Sequence, residues 1–187
     1  MRTLALTSTL ALSLLGGCDE PDRSARAPSS ESDEDPTDED STGEAVELDE
    51  DEIIERALAF ETELVPMTDE REPSSTHIGG AEVLVWGPEE VKAAYNSIDP
   101  DDPTQFVAFP EGTLFVKQGF DTEGNPGGLA VMYKGPQGYF PASQDWFWAT
   151  YNLETDAVVR SGREQFCVDC HEAAFNTDLV VGFAKSL

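Results

Sequence analysis

The strongest constraint on the fold is a run of short apolar-patterned segments, separated by turns, between Ala81 and Gly162. The first segment, AEVLVWG, alternates apolar side chains at Val83 and Val85, as a half-buried strand does. Further strands are predicted in TLFVKQGF, LAVMYK and DWFWATYNL, with a short last one in DAVVRSG. The last four segments are joined by turns too short for crossover helices, so these strands are expected to pair antiparallel. The sequence therefore predicts an α+β fold, an antiparallel β-sheet with a few helices.

Helices are predicted in two segments, one between the first two strands and one after the last strand. A proline opens PEEVKAAYN, which favours a helix from Val91 to Tyr95. After Gly162 the alternation ends, and REQFCVDCHEAAF suits a helix near the C-terminus. The length from residue 73 to residue 187 is ordinary for a single domain. We therefore predict one folded domain over residues 73–187.

The N-terminus has the pattern of an export signal. One arginine precedes an apolar run to Leu15, and Leu-Gly-Gly-Cys follows. This ending resembles the bacterial lipobox, in which the cysteine is acylated and becomes the first mature residue. Residues 1–17 are therefore predicted to be a lipoprotein signal peptide, with lipidation at Cys18. The protein is expected on the periplasmic side, lipid-anchored to the inner or outer membrane.

A strongly acidic stretch separates this signal from the predicted domain. Residues 18–72 contain 22 of the 38 acidic residues, and the first half has almost no apolar side chains. Such a segment cannot bury enough surface to offset its chain entropy, so it is predicted to be a largely disordered tether. A short helix is expected near residues 52–64, with Ile53, Ile54, Ala57 and Leu58 on the face that packs on the domain. The formal net charge of −27 argues against nucleic-acid binding.

The motif that carries chemistry is CVDCH, residues 167–171. A thioredoxin-like thiol pair would begin a helix in a βαβ unit, which the predicted antiparallel strands do not provide. A structural zinc site needs about four ligands, and only His77 and His171 could join the two cysteines. A disulfide between Cys167 and Cys170 remains open but gives the histidine no role. Covalent attachment of one haem c uses both thiols and places His171 on the iron.

Together these residues resemble the cytochrome P-460 family, whose members include the beta-type cytochromes c-prime. The likeness covers roughly residues 81–183 and rests on EGTLFVK, GGLAVMYK, DWFW and CVDCHEAAFNTDLVV. In the last of these, a Thr-Asp pair and an apolar strand follow the haem histidine. The resemblance implies one haem c, His171 as the proximal iron ligand, and an opposite face that is open or capped by apolar side chains.

Further site residues follow from the resemblance. It implies that Lys117 is the lysine that can bond to the haem edge in hydroxylamine-oxidising members, and that Phe115 and Phe120 are candidates for the cap. The distal carboxylate of the enzyme-type members corresponds to Ala130, which cannot act as a base. Hydroxylamine oxidation would then need another acid in the pocket, such as Glu82 or Asp145.

Two functions therefore remain open at this stage. The first is redox chemistry or sensing of hydroxylamine or nitric oxide at a five-coordinate haem, with a redox partner protein as electron acceptor. The second is a gas-binding or electron-transfer cytochrome without turnover. In its electron-carrier form, His77 or Met132 would be a second axial ligand. The resemblance also leaves a homodimer open.

Overall fold

The computed structural model describes residues 46–74, 77 and 80–183. The predicted signal peptide, Cys18 and the first half of the acidic tether lie outside these residues. Within the described ranges, no helix is both long and apolar enough to cross a membrane.

The framework is one antiparallel sheet of seven strands. The strand order is β1-β3-β4-β5-β6-β7, and β2 pairs with β3 beside β1. All five strands predicted from the alternating pattern are present, which confirms the α+β assignment. The strands are β1 Val65–Pro66, β2 Glu72–Pro73, β3 Glu82–Gly87, β4 Leu114–Phe120, β5 Pro126–Lys134, β6 Trp146–Asn152 and β7 Ala157–Gly162.

The two faces of the sheet bury different side chains, because alternate residues of a strand point to opposite faces. Leu114 and Val116 lie in one core cluster with Leu129, Val131 and Phe147. Phe115 lies in a second cluster on the other face, together with Trp146 and Trp148. The sequence placed Leu114 and Val116 opposite Phe115 and Lys117, and the structure confirms this division.

Two helices from the acidic stretch cover the first face. They are α1, Glu50–Leu58, and α2, Phe60–Glu63. Asp49 caps α1 by accepting a hydrogen bond from the Glu52 amide at 3.0 Å. Ile53 and Ala57 are buried as expected, but Leu58 is 42% exposed because the helix ends there. The predicted packing of this helix on the domain is therefore confirmed for three of the four residues, since Ile54 also packs against the cluster.

The ordered unit reaches further toward the N-terminus than residue 73. Val65 and Pro66 pair with Gly87 and Trp86, and Glu72 pairs with Val83. The sheet therefore includes residues that the sequence assigned to the tether. Strands of two residues have no alternation to detect, which explains why the pattern did not predict them.

The second face is covered by the C-terminal segments and a short helical region after β3. A 3₁₀ turn, Glu89–Val91, leads into α3, Lys92–Tyr95, close to the predicted helix. Helix α4, Gln165–His171, follows β7 and continues as a 3₁₀ helix, Glu172–Thr177. The apolar strand expected after the Thr-Asp pair is absent, because residues 180–183 pair with no strand in the described part of the chain.

Candidate functional site

Helix α4 presents both cysteines and the histidine of CVDCH to one cavity. Cys167, Cys170 and His171 are spaced i, i+3 and i+4, which places them on the same side of a helix. The cavity has a volume of about 590 Å³ and lies against the second face of the sheet. Gly162, at a φ of 104°, allows the chain to turn from β7 toward α4, in a conformation that favours glycine.

His171 is held by a hydrogen bond that fixes its tautomer. Its Nδ1 lies 2.7 Å from the carbonyl oxygen of Leu179, which can only accept, so Nδ1 carries the proton. The other ring nitrogen, Nε2, then has a free lone pair. Burial lowers the pKa of His171, and the charge of Lys117 acts in the same direction. A neutral ring with an oriented, unprotonated Nε2 is the form that binds a metal ion.

The carbonyl that orients His171 belongs to a tight turn. Asp178 and Leu179 both have positive φ values, 57° and 62°, which are uncommon outside glycine. The Thr177 hydroxyl closes the turn by donating to the carbonyl oxygen of Ala174 at 3.0 Å or of Val180 at 2.8 Å.

Asp178 anchors this turn to the sheet. Its carboxylate is 3% exposed and accepts from the Phe109 amide at 2.9 Å and from Lys134 Nζ at 2.5 Å. The indole of Trp146 donates to the Asp178 carbonyl at 2.8 Å. The Thr-Asp pair therefore has a physical role: it fixes the backbone that positions His171. Lys134, on β5, is a structural partner of this turn.

The thiols differ from a redox-active pair. Both cysteines are free, and Cys167 is partly buried while Cys170 is exposed. Burial, with the nearby Glu164 carboxylate, raises the pKa of Cys167 to about 11. Redox-active cysteines have lowered pKa values instead. The raised pKa of Cys167 thus favours a pair of thiols that line a cavity over a thiol–disulfide exchange site.

A row of cross-strand neighbours forms the wall opposite α4. Lys117 on β4 pairs with Val85 on β3 and with Ala130 on β5, and Ala130 pairs with Thr150 on β6. Thr150 in turn pairs with Arg160 on β7. All five residues line the cavity. Register alone brings Lys117 and Arg160 to one surface, and sequence reasoning did not find Arg160.

Lys117 is partly buried, and burial lowers its pKa to about 8. Its Nζ lies 5.6 Å from the centre of the Phe183 ring. No carboxylate pairs with it among the residues that the structure describes. About a tenth of its amine is therefore uncharged at pH 7, far more than for an ordinary lysine, and the uncharged amine is the nucleophilic form.

Only one of the two phenylalanines predicted to cap the haem lines the cavity. Phe115 lines the cavity beside Met132, its cross-strand partner. The ring of Phe115 lies against Gly87, where a Cβ would be only 2.7 Å from it. Phe120 does not line the cavity; the Arg71 guanidinium lies 3.6 Å from the centre of its ring. A register shift between Gly119 and Phe120 breaks the alternation at this point.

Neither alternative carboxylate reaches the cavity. Glu82 pairs with Arg71 at 3.7 Å, and about half of its side chain is exposed. Asp145 accepts from the Phe140 amide at 3.0 Å, away from the cavity lining. Ala130 does line the cavity and lies beside Lys117. The described part of the site therefore contains no carboxylate in place of the family's distal one.

Comparison with known proteins decides the family. The family model described as Cytochrome P460 matches residues 69–181, well over half of the chain. The chain belongs to the cytochrome P460 family. The match begins before Ala81, where the resemblance began, and includes β2. Neither the curated proteins nor the solved structures gave a significant match.

The cavity of this cytochrome suits the haem that the family implies. Its volume falls in the range of roughly 300–1,000 Å³ typical of cofactor pockets. His171 presents an available Nε2, and two thiols line the same space. Tyr95 lines the cavity as well, although its hydroxyl is buried and has no hydrogen-bond partner among the described residues.

His77, the other histidine of this cytochrome, also lines the cavity. Its ring centre lies 6.1 Å from that of His171, with the two ring planes at 78°. Burial lowers the pKa of His77 to about 3, with smaller contributions from Lys117 and His171. The ring is therefore neutral at physiological pH. The sequence offered His77 as an alternative axial ligand but could not locate it, because its loop has no periodic pattern.

Proposed function

We propose that the protein is an exported, membrane-tethered cytochrome with one haem c that binds or oxidises a small nitrogen species, hydroxylamine or nitric oxide. The observation that carries the proposal is the shared cavity of Cys167, Cys170, His171 and Lys117. Two thiols, an oriented imidazole and a buried amine on the opposite wall match the functional groups that this chemistry needs.

Each residue has a distinct part in this proposal. Cys167 and Cys170 would hold the haem through two thioether bonds, and His171 would bind the iron through Nε2. When bound, the haem would supply an iron that can bind the nitrogen ligand and accept its electrons. Phe115 and Met132, which line the same cavity, would restrict the size of molecules that enter it. Lys117, partly deprotonated near neutral pH, would bond to the haem edge.

Proton removal is the step of the oxidation reaction for which the site offers no evident base. Hydroxylamine must lose protons when it is oxidised, and a base must lie within hydrogen-bond reach. Ala130 occupies the cross-strand position beside Lys117 and offers no base. The protein should therefore bind nitrogen ligands well and oxidise hydroxylamine slowly, passing the electrons to a redox partner protein.

Electron transfer without turnover is the second candidate. It is favoured by His77, whose ring lies in the same cavity as that of His171. The export and anchoring parts of the proposal depend on the N-terminal sequence. Acylation of Cys18 would retain the protein at the inner or outer membrane, and the acidic segment would hold the domain away from the lipid.

Ala130→Glu tests the proposed reaction. A carboxylate beside Lys117 supplies the missing base, so hydroxylamine oxidation should rise by roughly 10² to 10⁴. The rate is measured with purified protein and an electron-accepting dye, after nitric oxide binding has been followed by absorbance. Ala130→Gln is the matched control, because it adds the same volume without a base and should leave the rate low. If the wild type neither binds nitric oxide nor oxidises hydroxylamine, the nitrogen chemistry is wrong and electron transfer remains.

A further inference from the structure

The chain has only two histidines in 187 residues, and the fold brings both rings to one cavity. They are 94 positions apart and belong to unrelated elements, the β2–β3 connection and helix α4. Two titratable rings in a mostly apolar cavity are costly to bury without a role, because each loses its hydration. The two rings lie close enough to bind one shared ligand.

The position of His77 is set by the hairpin that carries it. The Ser74 amide donates to the Ala81 carbonyl at 3.0 Å, which extends the pairing of β2 with β3. The Gly80 amide donates to the His77 carbonyl at 3.0 Å. The Ala81 amide donates to Phe120 on β4 at 3.0 Å. The loop is thus closed on itself and attached to the sheet on both sides.

The spacing of the two rings matches two ligands of one metal ion. Each metal–imidazole bond is about 2 Å long, and the ring adds roughly 1 Å between the bonded nitrogen and its centre. Two such ligands on opposite sides of one ion place their ring centres about 6 Å apart. The observed separation is 6.1 Å.

We propose that His77 is the sixth ligand of the haem iron in the resting protein, opposite His171. This inference rests on the proposed haem attachment at Cys167 and Cys170. A nitrogen ligand must then displace His77 before it can bind. The iron would be protected from other small molecules until a ligand strong enough to displace the histidine arrives.

The test compares the spin state of the ferric iron in the wild type and in His77→Ala. Electron paramagnetic resonance and absorbance should show low-spin, six-coordinate iron in the wild type and high-spin iron in His77→Ala. Added imidazole should restore the low-spin signal in the variant. Nitric oxide should bind the ferrous form of His77→Ala at least about tenfold faster, because no internal ligand has to leave first. Ser74→Ala, another cavity-lining change in the same segment, should behave as the wild type.

The outcomes separate this inference from the proposed function. High-spin iron in the wild type overturns ligation by His77, and nitric oxide binding by that same protein would leave the proposed function in place. Low-spin iron in His77→Ala without added imidazole also overturns it and transfers the role to Met132 or Lys117. Low-spin wild-type iron that becomes high-spin in His77→Ala, yet binds no nitric oxide in either form, supports ligation and refutes the nitrogen chemistry.

Discussion

Among single residues, Lys117 departs most clearly from ordinary behaviour. A lysine on a strand normally extends its amine into water, whereas this one lines the cavity, and burial lowers its pKa to about 8. Keeping an amine away from water and from carboxylates is unfavourable for folding. That cost is consistent with a chemical role at the haem edge.

Lys117→Arg should abolish a haem cross-link while retaining a cationic side chain. A guanidinium stays protonated at any physiological pH, so it cannot act as the nucleophile. Mass analysis of proteolytic peptides should find haem attached to the Lys117 peptide in the wild type and not in the variant. Lys92→Arg, outside the cavity, should leave the cross-link unchanged. A wild-type Lys117 peptide without haem would show that this lysine only lines the cavity.

The roles of some site residues could be predicted from the sequence, and those of others could not. Cys167, Cys170 and His171 lie within one local motif, so their common position follows from helical spacing alone. The sequence analysis identified Asp178 only as a member of the Thr-Asp pair and assigned it no contacts. Its role depends on contacts with Lys134, Trp146 and Phe109, which are distant in sequence.

At the level of elements, the strands were predictable because alternation has a period of two and is a local property. Pairing register is not local, so the row from Val85 through Lys117 to Arg160 appeared only in the structure. The shift at Phe120 depends on β5 and moved that side chain away from the cavity. The loop that carries His77 has no repeating pattern and could not be placed.

Helix α1 is the element whose contribution to the stability of the domain is easiest to measure. Ile53 is 4% exposed in the first-face core, whereas Leu58 on the same helix is 42% exposed. Ile53→Ala should lower the free energy of unfolding by about 2–4 kcal/mol, because it leaves a cavity. Leu58→Ala should change it by less than about 1 kcal/mol. Chemical denaturation measures both, and equal small effects would mean that the acidic segment does not stabilise the domain.

The two faces of the sheet have different roles in the folded domain. The first face is covered by α1 and α2 and forms an apolar core. The second face carries the cavity, with α4 and the His77 loop opposite the strands. The net charge of −27 resides largely in the sequence before residue 73. The sequence-based division into signal, tether and domain stays a prediction for residues 1–45.

Covalent attachment of haem is the central claim, and it can be measured on the denatured protein. The wild type should retain one haem after unfolding, seen as haem staining on a denaturing gel and as one added haem in the intact mass. The double variant Cys167→Ala/Cys170→Ala should lose both signals, because thioether bonds need the two thiols. Cys18→Ser, which removes the only other cysteine, should keep them. Haem that leaves the wild type on denaturation, or that stays with the double variant, would contradict the account.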